Sequence, residues 1–265
     1  MPGTDNPLNR HAPARRNTIA GLCSALALGL SLLLPSSAAA DPKAVIELFT
    51  SQGCSSCPPA DRLLGELAKQ EDLIVLSLPV NYWDYLGWKD TLASTDNSAR
   101  QRAYAELRGD RAVYTPQAVV NGRRHAIGSD KRALLNAIKG AGGLPVSVKA
   151  EMGADSLDIH VGAGETPGMM ATVWLVLFDH KREVPIARGE NGGRTITYHN
   201  VVRRMQAIGM WKGKPATYSM PRGELVKAGM QGCAVLIQGE DGNGHPGPIV
   251  GATYLAQGQQ QAAMR

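Results

Sequence analysis

Cysteine is scarce in this chain, with four in 265 residues, and aromatic residues make up only 5% of it. Blocks of like charge are missing as well. The 28 basic and 23 acidic residues are scattered along the chain, with no basic stripe for nucleic acid and no polybasic patch for a membrane surface. The glycine-rich segment "RGENGGRT" (Arg188–Thr195) lacks the Gly-Lys-Ser/Thr of a nucleotide loop. It reads as a β-turn with flanking charges, or as a loop whose Arg188 and Arg194 face an anionic partner. Neither an HExxH helix nor a serine-nucleophile elbow occurs. After Ala40 no apolar run approaches the 18 residues of a membrane span.

One apolar run does stand near the start. Thr18–Leu34 is nearly uncharged, follows Arg10, Arg15 and Arg16, and precedes the small residues Ala38-Ala39-Ala40. That layout predicts a signal peptide over residues 1–40, cleaved after Ala40, and a periplasmic or secreted protein without stable membrane insertion. Cys23 leaves with the signal. Cys54, Cys57 and Cys233 remain, in a compartment where disulfides persist. An odd count leaves one thiol over, so Cys54 and Cys57 form the natural pair and Cys233 is a buried, inert remainder.

The mature chain divides into two grammars. "AVIELF" from Ala44 and "LIVLSLPV" from Leu73 are short, β-branched runs typical of buried strands. A helix is predicted from near Cys57, carried by Leu63, Leu64 and Leu67, and a second over Asn97–Gly109. Asn121-Gly122 between two β-like arms signals a two-residue hairpin. A third helix over Ser129–Gly140 has Ser129 as its cap and Gly140 as its stop. Strands alternating with helices imply a parallel crossover unit, finished by an antiparallel hairpin. Residues 41–140 thus make an α/β domain, a central mixed sheet with helices on both faces. Residues 141–145 are a linker. Residues 146–256 are a mostly antiparallel, β-sandwich-like domain of short strands, in which "TITYHNVVRRMQAIGMW" is ambiguous between strand and helix. Residues 257–265 form a frayed polar tail.

Cys54-Ser55-Ser56-Cys57 stands between the end of a strand and the start of a helix, where sites collect in open α/β sheets. Unpaired N–H groups and the partial positive charge of the helix end stabilise a thiolate. Ser55 and Ser56 can donate to the Cys54 sulfur. Pro58 and Pro59 are tolerated in a first turn. A structural zinc site needs four ligands, and one CxxC, one distant cysteine and five unpaired histidines do not supply the spacing. No metal or other cofactor is expected. As a staple, a disulfide closing so short a loop removes little chain entropy, which favours redox use without eliminating an inert bond.

The CxxC after the first strand, the helix behind it, and "YTPQAVVNG" (Tyr114–Gly122) leading into the hairpin resemble thioredoxin-like proteins over Ala44–Gly140. That resemblance implies a cis Pro116, with Thr115, beside the sulfurs. "ELFTSQGCSSCPPAD", "YWDYLGWKD", "YTPQAVVNG" and "RGENGGRTITYHNVV" are similar to segments of an exported bacterial thioredoxin-like family of undefined function, which implies no established reaction. That family carries an acidic residue where this chain has Asn81. "VNYWDYLGWKDTLAS" (Val80–Ser94) concentrates aromatics. Trp83 and Tyr82 are candidates to wall a substrate groove and Asp84 to relay protons. The packed alternative is a core-covering loop whose aspartate caps a turn.

The sequence therefore predicts thiol–disulfide exchange through Cys54 and Cys57, with a protein or a small thiol or disulfide as partner. The alternative is a non-enzymatic binding module in which the CxxC is a structural disulfide.

Overall fold

Strand β1 (Ala44–Thr50) is buried along its whole length, as expected of an apolar strand with both faces covered. It pairs in parallel with β2 (Leu73–Pro79), from Ala44↔Leu73 to Thr50↔Pro79. Between them runs helix α1 (Pro58–Leu67), and after β2 comes α2 (Thr95–Arg108). Helix α1 sets Ala60, Leu63, Leu64 and Leu67 against Ile46 and Leu48 on one face of the sheet. On the other face, Tyr104 of α2 lies with Val45 and Phe49. This computed structural model describes residues 41–229, 231–242 and 244–255. The signal peptide and the polar tail read from the sequence lie outside the described residues.

The hairpin forms at Asn121-Gly122, but with Val120 opposite Arg124 its loop has three residues, Asn121, Gly122 and Arg123, and not the expected two. β3 (Gln117–Val120) pairs with β1 and with β4 (Arg124–Ile127). Asn121 and Gly122 have positive φ, 48° and 63°, the geometry of a primed turn. Glycine is also required at 122 by space, since a Cβ there would stand 2.3 Å from the Gly247 carbonyl oxygen. The third helix, α3 (Lys131–Gly140), corrects the expected cap. Asp130, not Ser129, accepts the Ala133 N–H, and Gly140 belongs to the helix, which ends on Ala141. The cap must reach the amide three residues on; from the helix start adopted here, that residue is Asp130.

Beyond α3 come β5 (Val148–Met152), β6 (Ser156–Val161), β7 (Ala171–Ile186), β8 (Arg194–Trp211), β9 (Ala216–Pro221), a short helix α4 (Arg222–Ala228), β10 (Gly232–Glu240) and β11 (Pro246–Tyr254). The segment left ambiguous in the sequence is strand β8. Its 18 residues pair antiparallel with β7, from Ala171↔Trp211 to Ile186↔Arg194, with register shifts near Trp174 and Phe178. Strands β5, β6 and β9 make a three-stranded antiparallel sheet. Its apolar face, with Val148, Leu157, Ile159 and Val161, meets Val173, Leu175, Val235 and Ile237 of β7 and β10. This is the sandwich-like packing expected of the C-terminal half.

The expected boundary at 141–145 is a connection in the chain and not a break in the structure. β8 lies beside β2 through Ser77↔Val201, giving one eight-stranded sheet in the order β11-β10-β7-β8-β2-β1-β3-β4. One apolar cluster joins Val45, Phe49 and Ile74 to Val176, Phe178 and Leu236. Past that contact the outer part of the β7–β8 hairpin reaches α1. A Cβ at Gly65 would stand 2.5 Å from the His199 ring, so the small residue admits β8 onto the helix. Among the described residues, no helix is long and apolar enough to cross a membrane.

Candidate redox site

The end of β1 delivers Cys54, and a tight turn delivers Cys57. The Cys54 amide donates to the Ser51 carbonyl and the Cys57 amide to the Cys54 carbonyl. Cys57 is the N-cap of α1, with Pro58 and Pro59 in its first turn. The two sulfurs are joined in a disulfide, with the α-carbons 5.4 Å apart. Cys54 is 2% exposed and Cys57 0%. Of the two serines, Ser56 has its hydroxyl 3.4 Å from the Cys54 sulfur, while the Ser55 amide is taken by the Glu190 carboxylate at 3.2 Å.

The Thr115–Pro116 peptide bond is cis, and Pro116 is buried beneath the partly exposed Thr115. Trp83 ties this bend to the cysteine loop. Its indole Nε1–H donates to Thr115 Oγ1 at 2.7 Å. Its Cβ lies so near Gly53 that a Cβ there would be 3.0 Å away. Tyr82 reaches the same bend, its hydroxyl donating to Gln101 on α2 and lying against the Thr115 side chain. Asp84 Oδ1 accepts the Asp90 N–H. Asp90 Oδ2 accepts the Gln52 N–H, and Trp88 Nε1–H donates to the Gln52 side-chain oxygen. The aromatic loop thus frames the approach to Cys54, with Tyr85 78% exposed on its rim.

Asp61 was not singled out in the sequence, yet it is the acid nearest the pair along α1. It lies one turn beyond Cys57, on the same helical face, and its amide donates to the Cys57 carbonyl at 3.1 Å. The side chain is buried. Oδ1 accepts the Thr50 hydroxyl at 2.8 Å, while among the described residues Oδ2 has no hydrogen-bond partner. Burial pushes this carboxyl up to about 8, against the Thr50 bond and with the help of the Asp90 charge. The Tyr198 hydroxyl is likewise buried without a partner among the described residues. Burial first, then the charges of Asp61 and Asp90, raise that phenol above its ordinary value.

The segment read as a β-turn, residues 188–195, joins β7 to β8 and sits on the cysteine loop. Asn191 is fully buried. Its amide nitrogen donates to the carbonyls of Gln52 and Cys54, both at 2.9 Å, and its oxygen accepts from Arg194 at 3.2 Å. Arg194 braces Asn191 through that bond, and both Arg188 and Arg194 are exposed. The sequence showed a turn here but not its position, which depends on the length and register of β8. Asp61, by contrast, had a signal: Cys57, Ala60, Asp61, Leu64 and Leu67 form one helical stripe.

Cys233 is a free, buried thiol, pushed up to about 12 by burial. Among the described residues, no group of three or more His, Cys, Asp or Glu is placed to hold a metal ion.

The chain is 27% identical over 100 residues to a probable thioredoxin of Archaeoglobus fulgidus, covering 36% of this chain and 90% of that protein. A crystal structure of an Agrobacterium tumefaciens structural-genomics protein matches with a TM-score of 0.74 and 39% identity, over 83% of this chain and 96% of that one. HBP35 of Porphyromonas gingivalis matches at a TM-score of 0.54 and 12% identity, over 81% of this chain and 75% of that one, a likeness of fold alone. The DUF1223 family, described as proteins of unknown function, matches residues 45–238, and the chain belongs to that family.

Proposed function

We propose that this protein is an exported thiol–disulfide oxidoreductase that exchanges through Cys54 and Cys57. The observation that carries the reading is the disulfide at the start of α1, tied through Trp83 to the cis Thr115–Pro116 bend. Export rests on the signal-like residues 1–40 and places the activity in the periplasm or outside the cell.

In the oxidising direction, a substrate thiolate attacks the Cys54 sulfur. The Cys54–Cys57 bond breaks, its electron pair passes to Cys57, and a mixed disulfide forms. Asp61, protonated in good part near neutral pH because burial raises it to about 8, gives its proton to the Cys57 thiolate. A second substrate thiolate then attacks the substrate sulfur of the mixed disulfide and expels Cys54 as a thiolate. The helix end stabilises that charge. Substrate leaves with a new disulfide, and the protein keeps two reduced cysteines. Reduction of a substrate runs the same steps backwards, with ionised Asp61 taking the Cys57 proton. Asp61 would take the part of the acid that Asn81 lacks. Trp83 and Thr115 line the place where the partner chain lies, and Tyr82 supports Trp83 from behind, their rings 6.1 Å apart.

A second reading has its own observation. Both cysteines are nearly sealed from solvent, as a structural disulfide in a binding module would be. Cys57→Ser trapping separates the two. An exchange enzyme accumulates mixed disulfides through Cys54, and loses turnover when both cysteines become serine. A binding module forms no adduct and keeps its partner in the double variant.

A further inference from the structure

We propose that the tip of the β7–β8 hairpin is a redox-coupled gate, in which Asn191 and Glu190 hold the Cys54–Cys57 disulfide covered and loosen once it is reduced. The inference rests on the exchange reading for its purpose, but its chemistry is the stoichiometric reduction of one disulfide.

Three contacts hold the gate shut. Asn191 bridges two carbonyls of the cysteine loop, those of Gln52 and Cys54. Glu190 occupies the Ser55 amide. Gly189 brings the strap close against Trp88: a Cβ at Gly189, whose φ is +77°, would be 3.3 Å from the Trp88 Cβ. The strap is short and well anchored, since β7 and β8 pair up to Ile186↔Arg194 and the Gly193 amide closes on the Ile186 carbonyl. Under it Cys54 is 2% exposed, yet an attacking thiolate needs a clear line to that sulfur. Exchange therefore waits for the tip to lift, as lids and loops commonly set the pace of reactions they cover.

The electrostatics couple the gate to the redox state. The disulfide is neutral, so Glu190 is free to place its carboxylate on an amide of the α1 entry. Reduction puts a thiolate on Cys54, which draws on the same positive end of the helix. The Cys54 thiolate and the Glu190 carboxylate, held on the neighbouring Ser55 amide, then repel each other as like charges, and the tip binds the reduced form less well than the oxidised one. Linkage is reciprocal: a tip that prefers the oxidised protein makes the disulfide harder to reduce by the same factor.

The experiment follows reduction of the oxidised mature chain by dithiothreitol, quenched and read as alkylated cysteine. It compares Asn191→Ala, Glu190→Gln, and a chain in which residues 187–193 are replaced by Asn-Gly, a loop suited to two paired strands. The rate constant should rise at least about tenfold in the shortened loop and about threefold in Asn191→Ala, as a lid-limited reaction requires. In a glutathione redox buffer, Glu190→Gln should shift the equilibrium toward the reduced form by up to about tenfold, equivalent to about 30 mV. Rates and equilibria within about twofold of wild type, in variants with unchanged circular dichroism and melting, overturn the gate. If the shortened loop does not fold, the two point variants decide alone. Turnover of a substrate disulfide is assayed separately. Its absence in the wild type removes the exchange reading and leaves the gate standing, whereas unchanged reduction kinetics remove the gate only.

Discussion

Two buried acids sit near strand β1, and their surroundings differ. Glu47 faces α2, and both its oxygens are engaged: Oε1 by Arg100 Nε at 2.6 Å and Oε2 by the Tyr104 hydroxyl at 2.5 Å. Gln238 of β10 closes the network, accepting from Arg100 and donating to the Tyr104 oxygen. Asp61, on the opposite side of the sheet, has one bond from Thr50 and a second oxygen without a protein partner among the described residues. The closed network fixes a charge and joins the two halves of the molecule. The open site leaves a carboxyl able to change its protonation state one helical turn from Cys57, which is what exchange chemistry needs from an acid. A buried polar atom without a partner calls for an explanation that a fully paired network does not, and for Asp61 its place one turn from Cys57 supplies one.

The largest break in this comparison comes from Arg100→Met. It leaves Glu47 buried without its counter-charge, held only by the Tyr104 hydroxyl, and should cost about 3–5 kcal/mol in denaturant unfolding, while dithiothreitol reduces the Cys54–Cys57 bond at the wild-type rate. A matching loss of redox rate would show that the two acids are not separable.

Asp61→Asn should act in the opposite sense on stability. The folded carboxyl is raised from 3.8 to about 8, so the native state holds more protons than the unfolded one between those values. Wild-type stability therefore falls as pH climbs from about 4 to about 8. The asparagine variant escapes that loss. It should be more stable than wild type by on the order of a few kcal/mol at pH 8 and by little at pH 4, read from urea unfolding at both. The same variant should slow exchange by about 100-fold near neutral pH, as loss of a general acid–base group does. A stability difference that does not change with pH would contradict the raised Asp61 carboxyl.

Trp83→Phe makes the smallest change. It removes one hydrogen bond to Thr115, worth about 1 kcal/mol in melting, and loosens the tie between the cysteine loop and the cis-proline bend. Exchange with a protein disulfide should weaken more than reduction by a small thiol. Equal losses in both would make Trp83 a core residue and not part of a binding surface.

What could be read from the sequence follows from locality. β1, β2, the CxxC at a helix start and the Asn121-Gly122 hairpin each depend on a few neighbouring residues, and all are in place. Strand β8 was ambiguous because its 18 residues change faces at register shifts that only β7 defines. The placement of Asn191 over Cys54 inherits that ambiguity, spanning 137 residues of separation. The shared sheet was hidden for a similar reason: a single β2–β8 pairing, Ser77↔Val201, unites the halves, and no local pattern announces it. Asp61 was legible in principle, on the apolar stripe of α1, but a charged residue near a helix start reads first as a favourable end charge.

Alkylation of the reduced protein by iodoacetamide tests the central claim most directly. The account predicts that Cys54 reacts faster than free cysteine at pH 6.5, with a thiol that titrates within the range of about 3.5–7.5 found at helix starts, while Cys233 stays unlabelled. A Cys54 no faster than free cysteine, titrating near 8.5 as an ordinary thiol does, would contradict it.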